Sequence, residues 1–239
     1  MQILIGSARH DERNKYSGGA KGDSLQNSTP DYKGEVSQQL FYVHTKGWYV
    51  LVPKSVDVAL KMAAAMKQAC NNKNIGYSQS DRYSILKYGT KATVKCNCDC
   101  SSLIRVCVKE ATGKDPGDFT TANAVAKLTA TGYFQKAVPY TSNTKLYTGS
   151  VLCTKTKGHI VAVTSGYPLK TQEHIYFPKY SGTSKSIADA LNSLHFDNSR
   201  KFRQRIAEVN GIKNYTGTYL QNKKLLSLLM QGKLIMPTD

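Results

Sequence analysis

Apolar positions recur along this chain with two periods, and their order predicts the architecture. Behind Ser55, the residues Ala59, Met62, Ala63, Met66 and Cys70 fall on one face at helical spacing, which predicts a serine-capped helix of about eighteen residues. "CSSLIRVCVKEATG" (100–113) predicts a second helix that buries Leu103, Ile104, Cys107 and Ala111 and ends at Gly113. "TTANAVAKLTATG" (120–132) is a third, again closed by glycine. "GWYVLV" (47–52) is an aromatic and β-branched run stopped by Pro53, so it reads as a strand. "SVLCTK", "HIVAVTS" and "EHIYF" read as three more. "YSGGAKGDS" (16–24) is a dense turn signal, so residues 1–40 read as loop held by a few apolar anchors such as Val36 and Leu40. A buried helix beginning at a cysteine and followed by strands predicts an α+β fold rather than an alternating parallel sheet.

"PKYSGTSKS" (178–186) reads as a linker, and beyond it the pattern is purely helical. Ser186 and Asp189 have capping-box spacing ahead of Ile187, Ala190, Leu191 and Leu194. Phe202, Ile206 and Val209 form a second stripe, stopped by Asn210 and Gly211, and Thr218 with Gln221 repeats the box before Leu225, Leu226, Leu228 and Leu229. The chain therefore divides into a domain over 1–178 and a small three-helix module over 179–239. The module lacks an acid–base pair, which makes it a binding module in expectation.

The 239 residues can bury a core without staples. Charge changes the picture more. Thirty-three Lys and Arg against sixteen Asp and Glu give +17, which favours a polyanionic partner. A nucleic-acid reader would show a concentrated basic run or a motif, and neither is present; a wall rich in phosphate polymers fits the spread charge. "MQILIGSARHDERNK" has only a four-residue apolar run, too short for a secretory signal, and no segment reaches a membrane span. The expected site of synthesis is a cytoplasm, where a disulfide framework is not expected.

Four of the six cysteines crowd into "KCNCDCSSLIRVC" (95–107). The alternation of Cys96, Cys98 and Cys100 is tighter than zinc spacing and no second Cys or His pair follows, so no metal and no cofactor is expected. Cys100 stands where loop becomes helix, and free N–H groups, the positive dipole end and an adjacent His would lower its thiol pKa. A cysteine nucleophile needs a base, and His159, opening "HIVAVTS", is the best placed of the five histidines. A helix-start Cys beside a strand-edge His is the papain-like arrangement. Cys70, Cys96, Cys98, Cys107 and Cys153 read as packing residues, Trp48 and Tyr49 as strand core, and His10, His44 and His195 as surface residues. Asp23 either lines the cleft or makes an Asx turn.

These residues carry a resemblance. "DCSSL" (99–103) resembles the D-C-S-G/S-L nucleophile motif of the NlpC-type cell-wall cysteine peptidases, "GSVLCTKTKGHIVAV" (149–163) their His-bearing strand pair, and "NIGYSQSDR" (74–82) their tyrosine-bearing segment. The glycine-rich opening and the helical tail resemble parts of phage lysins of Gram-positive bacteria. The chain departs at Ser150, where the family usually has Asp.

The resemblance implies a papain-like endolysin, made in the bacterial host cytoplasm without a signal peptide and acting on the wall after release. Its substrate would be Gram-positive peptidoglycan, with anionic wall polymers as further partners. The bond implied is the D-glutamyl–diamino acid amide of the stem peptide; an N-acetylmuramoyl-L-alanine amidase is the alternative, and a non-catalytic basic wall- or nucleic-acid-binding protein the alternative of another class. Carried over by position, Cys100 is the nucleophile and His159 the base, with Tyr77 and Ser101 beside the substrate. The residue orienting the imidazole has no clear match; Gln172 is favoured over Glu173 and His174. Tyr215 and Tyr219 are the candidates for wall binding in the tail.

Overall fold

The computed structural model describes residues 1–26, 32–170 and 174–237. The fold is mixed α+β, and the chain divides into two compact units, Met1–Thr171 and Gln172–Asp239. In the first unit the elements are β1 (Leu4–Ala8), β2 (Val36–Leu40), β3 (Trp48–Leu51), α1 (Val56–Cys70), β4 (Ile75–Tyr77), α2 (Ile85–Tyr88), β5 (Cys96–Cys98), α3 (Cys100–Thr112), α4 (Ala124–Ala130), β6 (Val138–Pro139), β7 (Val151–Thr154) and β8 (Ile160–Ser165).

Six strands form one sheet in the order β2-β1-β8-β7-β3-β6, with antiparallel neighbours throughout. Alternate side chains divide between its faces, as period-two strands require. Val151, Cys153, Ile160 and Ala162 join the core shared with α1 and α3, while Ile5, Trp48, Val50, Leu152, Val161 and Val163 form a second core. Ser55 caps α1 as its spacing predicts, accepting from the Val58 N–H at 3.2 Å. Helix α1 packs close to β1 because that strand has a glycine at the contact: a Cβ on Gly6 would lie 2.6 Å from Met66 Cγ. Strands β4 and β5 pair in parallel as a separate ribbon that leads into α3.

Two expectations are corrected. Residues 1–40 contain β1 and β2, and β1 lies inside the sheet, between β2 and β8. Each strand has only five residues, one of them is the polar "VSQQL", and the pairing of β1 with β8 is remote in sequence, so no local pattern announces it. Among the described residues of "EHIYF" no sheet strand forms, and Tyr176 makes an isolated bridge to Ile235.

The second unit carries α5 (Ile187–Ser193), α6 (Arg200–Val209) and α7 (Tyr219–Met230). Ser186, Ser199 and Thr218 cap them, and Thr218 with Gln221 completes a reciprocal box. Ile187, Leu191, Ile206, Leu225, Leu229 and Leu234 make a core of their own, joined by Phe177 and Tyr180. The unit thus takes in residues that the sequence reading gave to the end of the first domain and to a linker.

Gly149, at the entry to β7, has φ +83°, and a Cβ there would sit 2.1 Å from the Ala59 carbonyl oxygen of α1. Gly149→Ala combines backbone strain with a backbone clash and is expected to cost about 3 kcal/mol, roughly a 10 °C fall in melting temperature. Calorimetry checks this; a loss below about 1 kcal/mol would mean that α1 can withdraw freely.

Candidate active site

Asp99 ends the loop after β5 and caps α3: its Oδ1 accepts the Ser102 N–H at 2.7 Å, and its own N–H donates to Ser102 Oγ at 2.9 Å. That box fixes Cys100 as the first residue of the helix, 9 % exposed at the floor of a cleft. The backbone N–H groups of Ile160 and Ser101 donate to its sulfur, and Ser101 Oγ lies 3.9 Å away. Ile160 follows His159, so α3 and β8 bring the two sequence-predicted residues to one cleft, which both line.

His159 Nε2 is 3.2 Å from Ser7 Oγ. Ser7 is buried on β1, the strand paired to β8. This partner lies upstream of both motifs, where sequence reasoning did not look; the signal available was the short run "ILIGSA" and nothing about its pairing. Gln172 and Glu173 fall outside the described residues, and His174 is exposed.

Around this pair the cleft encloses about 580 Å³. Tyr77 lines it, on β4, its phenol pushed above the ordinary value by burial and then by the nearby Cys100. Gln79 Nε2 donates to the Tyr77 hydroxyl at 3.3 Å, and Gln79 lines the depressions on both sides of Cys100. The buried Glu35 carboxylate accepts the Tyr77 N–H at 2.8 Å and the Ser24 N–H at 3.0 Å, so it clamps the tyrosine strand from behind. Asp23 is not among the residues lining the cleft. It is buried and accepts backbone N–H groups from Leu25, Gln26 and Val36, which makes it a turn-holding carboxylate. Arg82 Nε lies 3.3 Å from Asp99 Oδ2 and ties the α3 cap to Asp118 and the Phe119 carbonyl. Arg9, His10, His44 and Lys46 line the mouth with no acid among the lining residues, so the entrance is basic; His10 and His44 belong to the cleft rather than to a featureless surface.

The other cysteines are buried and free. Cys96 and Cys98 sit on β5, and Cys98 Sγ donates to the Gly76 carbonyl at 3.5 Å. Among the described residues no cluster of three His, Cys, Asp or Glu could hold a metal. In the second unit Tyr215 is buried and hydrogen-bonded, while Tyr219 is exposed beside a groove.

With this geometry in view, a family model decides the class: the endolysin-like domain matches residues 5–168, most of the chain. The chain belongs to the endolysin-like domain family. No curated protein matches it, and no solved structure matches it. An endolysin-like domain points to a phage enzyme that hydrolyses peptidoglycan and acts on the cell wall after release. The matched span runs from within β1 through β8, so it includes Ser7, Cys100 and His159 together. Among the described residues no helix of this endolysin-like chain is long and apolar enough to cross a membrane.

The electrostatics depart from the lowered thiol predicted for a helix start. Burial, then the Asp99 charge, pushes the Cys100 thiol up to about 11 against the donors at its sulfur. Burial, then the charges of His44 and Arg9, lowers His159 to about 4. At neutral pH the cleft therefore holds a neutral thiol and a neutral imidazole. An unfolded histidine titrates at 6.5, so the unfolded state binds the extra proton and stability falls as pH drops from 6.5 toward 4. In NMR titration His159 should stay neutral down to about pH 5, and peptide mapping should find iodoacetamide labelling of Cys100 still accelerating above pH 9. A His159 midpoint near 6.5 would overturn this picture of the site.

Proposed function

We propose that this endolysin-like chain is a papain-like, NlpC-type cysteine hydrolase that cuts an amide bond of the peptidoglycan stem peptide. The observation that carries the reading is the meeting of Cys100, at a capped helix start, with the His159–Ile160 edge of β8 in one cleft. The bond proposed is the D-glutamyl–diamino acid amide of Gram-positive peptidoglycan. The basic mouth supports a substrate rich in carboxylates.

The chemistry runs from a neutral pair. Ser7 meets Nε2 of His159, and the mechanism assigns Nδ1 to the thiol. Nδ1 takes the Cys100 proton as Sγ attacks the carbonyl carbon. The N–H of Cys100 and neighbouring donors hold the oxyanion of the tetrahedral adduct. Collapse breaks the C–N bond, and the amine leaves with the proton from Nδ1. Water then gives a proton to His159 and its hydroxide attacks the thioester, releasing the acid and restoring the thiol. Ser7, from the opposite end of the domain, thus fills the orienting role that the sequence reading sought at Gln172. A hydroxyl there adds no charge, consistent with an imidazole that stays neutral.

Cys100→Ser and His159→Ala should lose several orders of magnitude in turbidity clearance on purified walls, while Cys96→Ser and Cys98→Ser keep most of it. Full activity in Cys100→Ser would sink the mechanism. Mass spectrometry of the released muropeptides assigns the bond; a free muramoyl lactyl group would convert the reading to an amidase.

Ser7→Ala should lower kcat roughly tenfold at constant KM, the worth of one neutral hydrogen bond. Ser7→Asp should move the acid limb of kcat/KM upward from about 4 by roughly one unit or more, because a carboxylate beside the ring favours imidazolium. An unmoved limb in a folded Ser7→Asp protein would show that Ser7 only fills space.

A further inference from the structure

We propose that the second unit captures an oxyanion borne on a cell-wall polymer in a groove beside α7, with Arg203 as its anchor. The proposal rests on the reading of the chain as a wall hydrolase. The groove encloses about 820 Å³ and runs along the face of α7 that carries Tyr219, Lys223 and Ser227, opposite residues 183–187.

Arg203, on α6, lines this groove and is only partly exposed. Its Nε donates to the Asn198 carbonyl at 3.1 Å, and its Nη1 donates to the Tyr215 hydroxyl and to Asn222 Oδ1, each at 3.2 Å. The Tyr215 hydroxyl in turn donates to Asn222 Oδ1 at 2.5 Å. A tyrosine, an amide and a carbonyl thus brace one guanidinium. Among the described residues no carboxylate forms an ion pair with it. A half-buried, braced cation without a counter-charge is prepared for an anion from outside, because its ordering is already complete and its fork matches carboxylate or phosphate. Tyr215 therefore serves wall binding indirectly, by holding Arg203.

The remaining lining states what carries the anion. Lys185 and Lys223 add positive charge, and no acid is among the described residues lining the groove; Asp189 meets the hydroxyl of the lining Ser184 at 3.4 Å. Tyr219, 73 % exposed, offers a ring at one end of the groove, and hydroxyl and amide groups such as Ser186 and Gln231 line its sides. A ring for stacking, scattered polar groups and one fixed cation fit a few sugar units carrying a single oxyanion. A nucleic-acid strand would need a track of cations and several stacking faces.

The test measures retention of the full-length chain on three matrices, in the cold and at physiological salt: intact Gram-positive walls, walls stripped of phosphate polymers by hydrofluoric acid, and immobilised single-stranded DNA. Arg203→Gln should weaken retention on walls by roughly tenfold or more, Arg203→Lys should recover part of the loss, and the exposed Tyr219→Ala should weaken it several-fold. Cleavage of a small soluble muropeptide by the same variants should be unchanged, which separates a failure here from a failure of the proposed hydrolase. Arg203-dependent binding that survives stripping assigns the anion to a peptidoglycan carboxylate, and binding lost on stripping assigns it to a polymer phosphate. Wild-type retention by folded Arg203→Gln together with Tyr219→Ala overturns the proposal, as does an Arg203 effect confined to DNA.

Discussion

The antiparallel pairing of β1 with β8 is the constraint on which the first unit depends. Gly6 pairs with Ala162 and Ile5 with Val163, which puts the start of the matched domain inside its sheet, between β2 and β8. The next residue, Ser7, then meets the His159 ring, and Arg9 reaches the cleft mouth just beyond. Strand β2 follows on the outer side, preceded by Glu35, whose carboxylate grips the Tyr77 backbone. One wall of the cleft is thus built from the first forty residues, and the nucleophile's wall from α3.

Burial governs the chemistry of that cleft. The helix start and three donor groups favour the Cys100 thiolate, yet desolvation and the neighbouring Asp99 outweigh them. On the imidazole side, burial and two nearby basic groups act in the same direction. In the cysteine mechanism proposed above, proton transfer and attack would therefore belong to one step, and the basic residues at the mouth would act on the substrate's charge rather than on the thiol. The ion pair of Arg82 with Asp99 restrains the carboxylate whose charge acts on Cys100.

Where the fold rests on local chemistry, the sequence is readable. Ser55, Ser186 and Thr218 cap helices at the positions their spacing predicts, and Gly113 closes α3 in a left-handed turn. The placement of Cys100 at a helix start and of His159 beside a strand start was legible for the same reason, since each sits at the boundary of an element whose own pattern is clear. What was hidden depends on remote pairing. Strand β1 is a five-residue run whose meaning comes from β8, and Ser7 has no feature of its own that marks it. Of the two readings of Asp23, the fold supports the Asx turn, through the Leu25 N–H on its carboxylate, while Glu35 carries no local signal and only the fold shows it buried against backbone N–H groups. The position of Arg203 was equally silent, because its bracing residues lie on either side of two turns.

The span between Ser7 and His159 also sets a timetable. The two residues are 152 positions apart, so the imidazole has no orienting partner until the ribosome has made β8. At ~5–20 residues per second that interval is on the order of ten seconds, and closing so long a loop is the slow, late event in folding. During synthesis the nucleophile's helix can form early, from its own cap and α1. A thiol at a helix start would then exist without an ordered base. Hydrolytic competence would arrive only with the last strand of the sheet, and the nascent chain would spend its unfinished life as an inactive one.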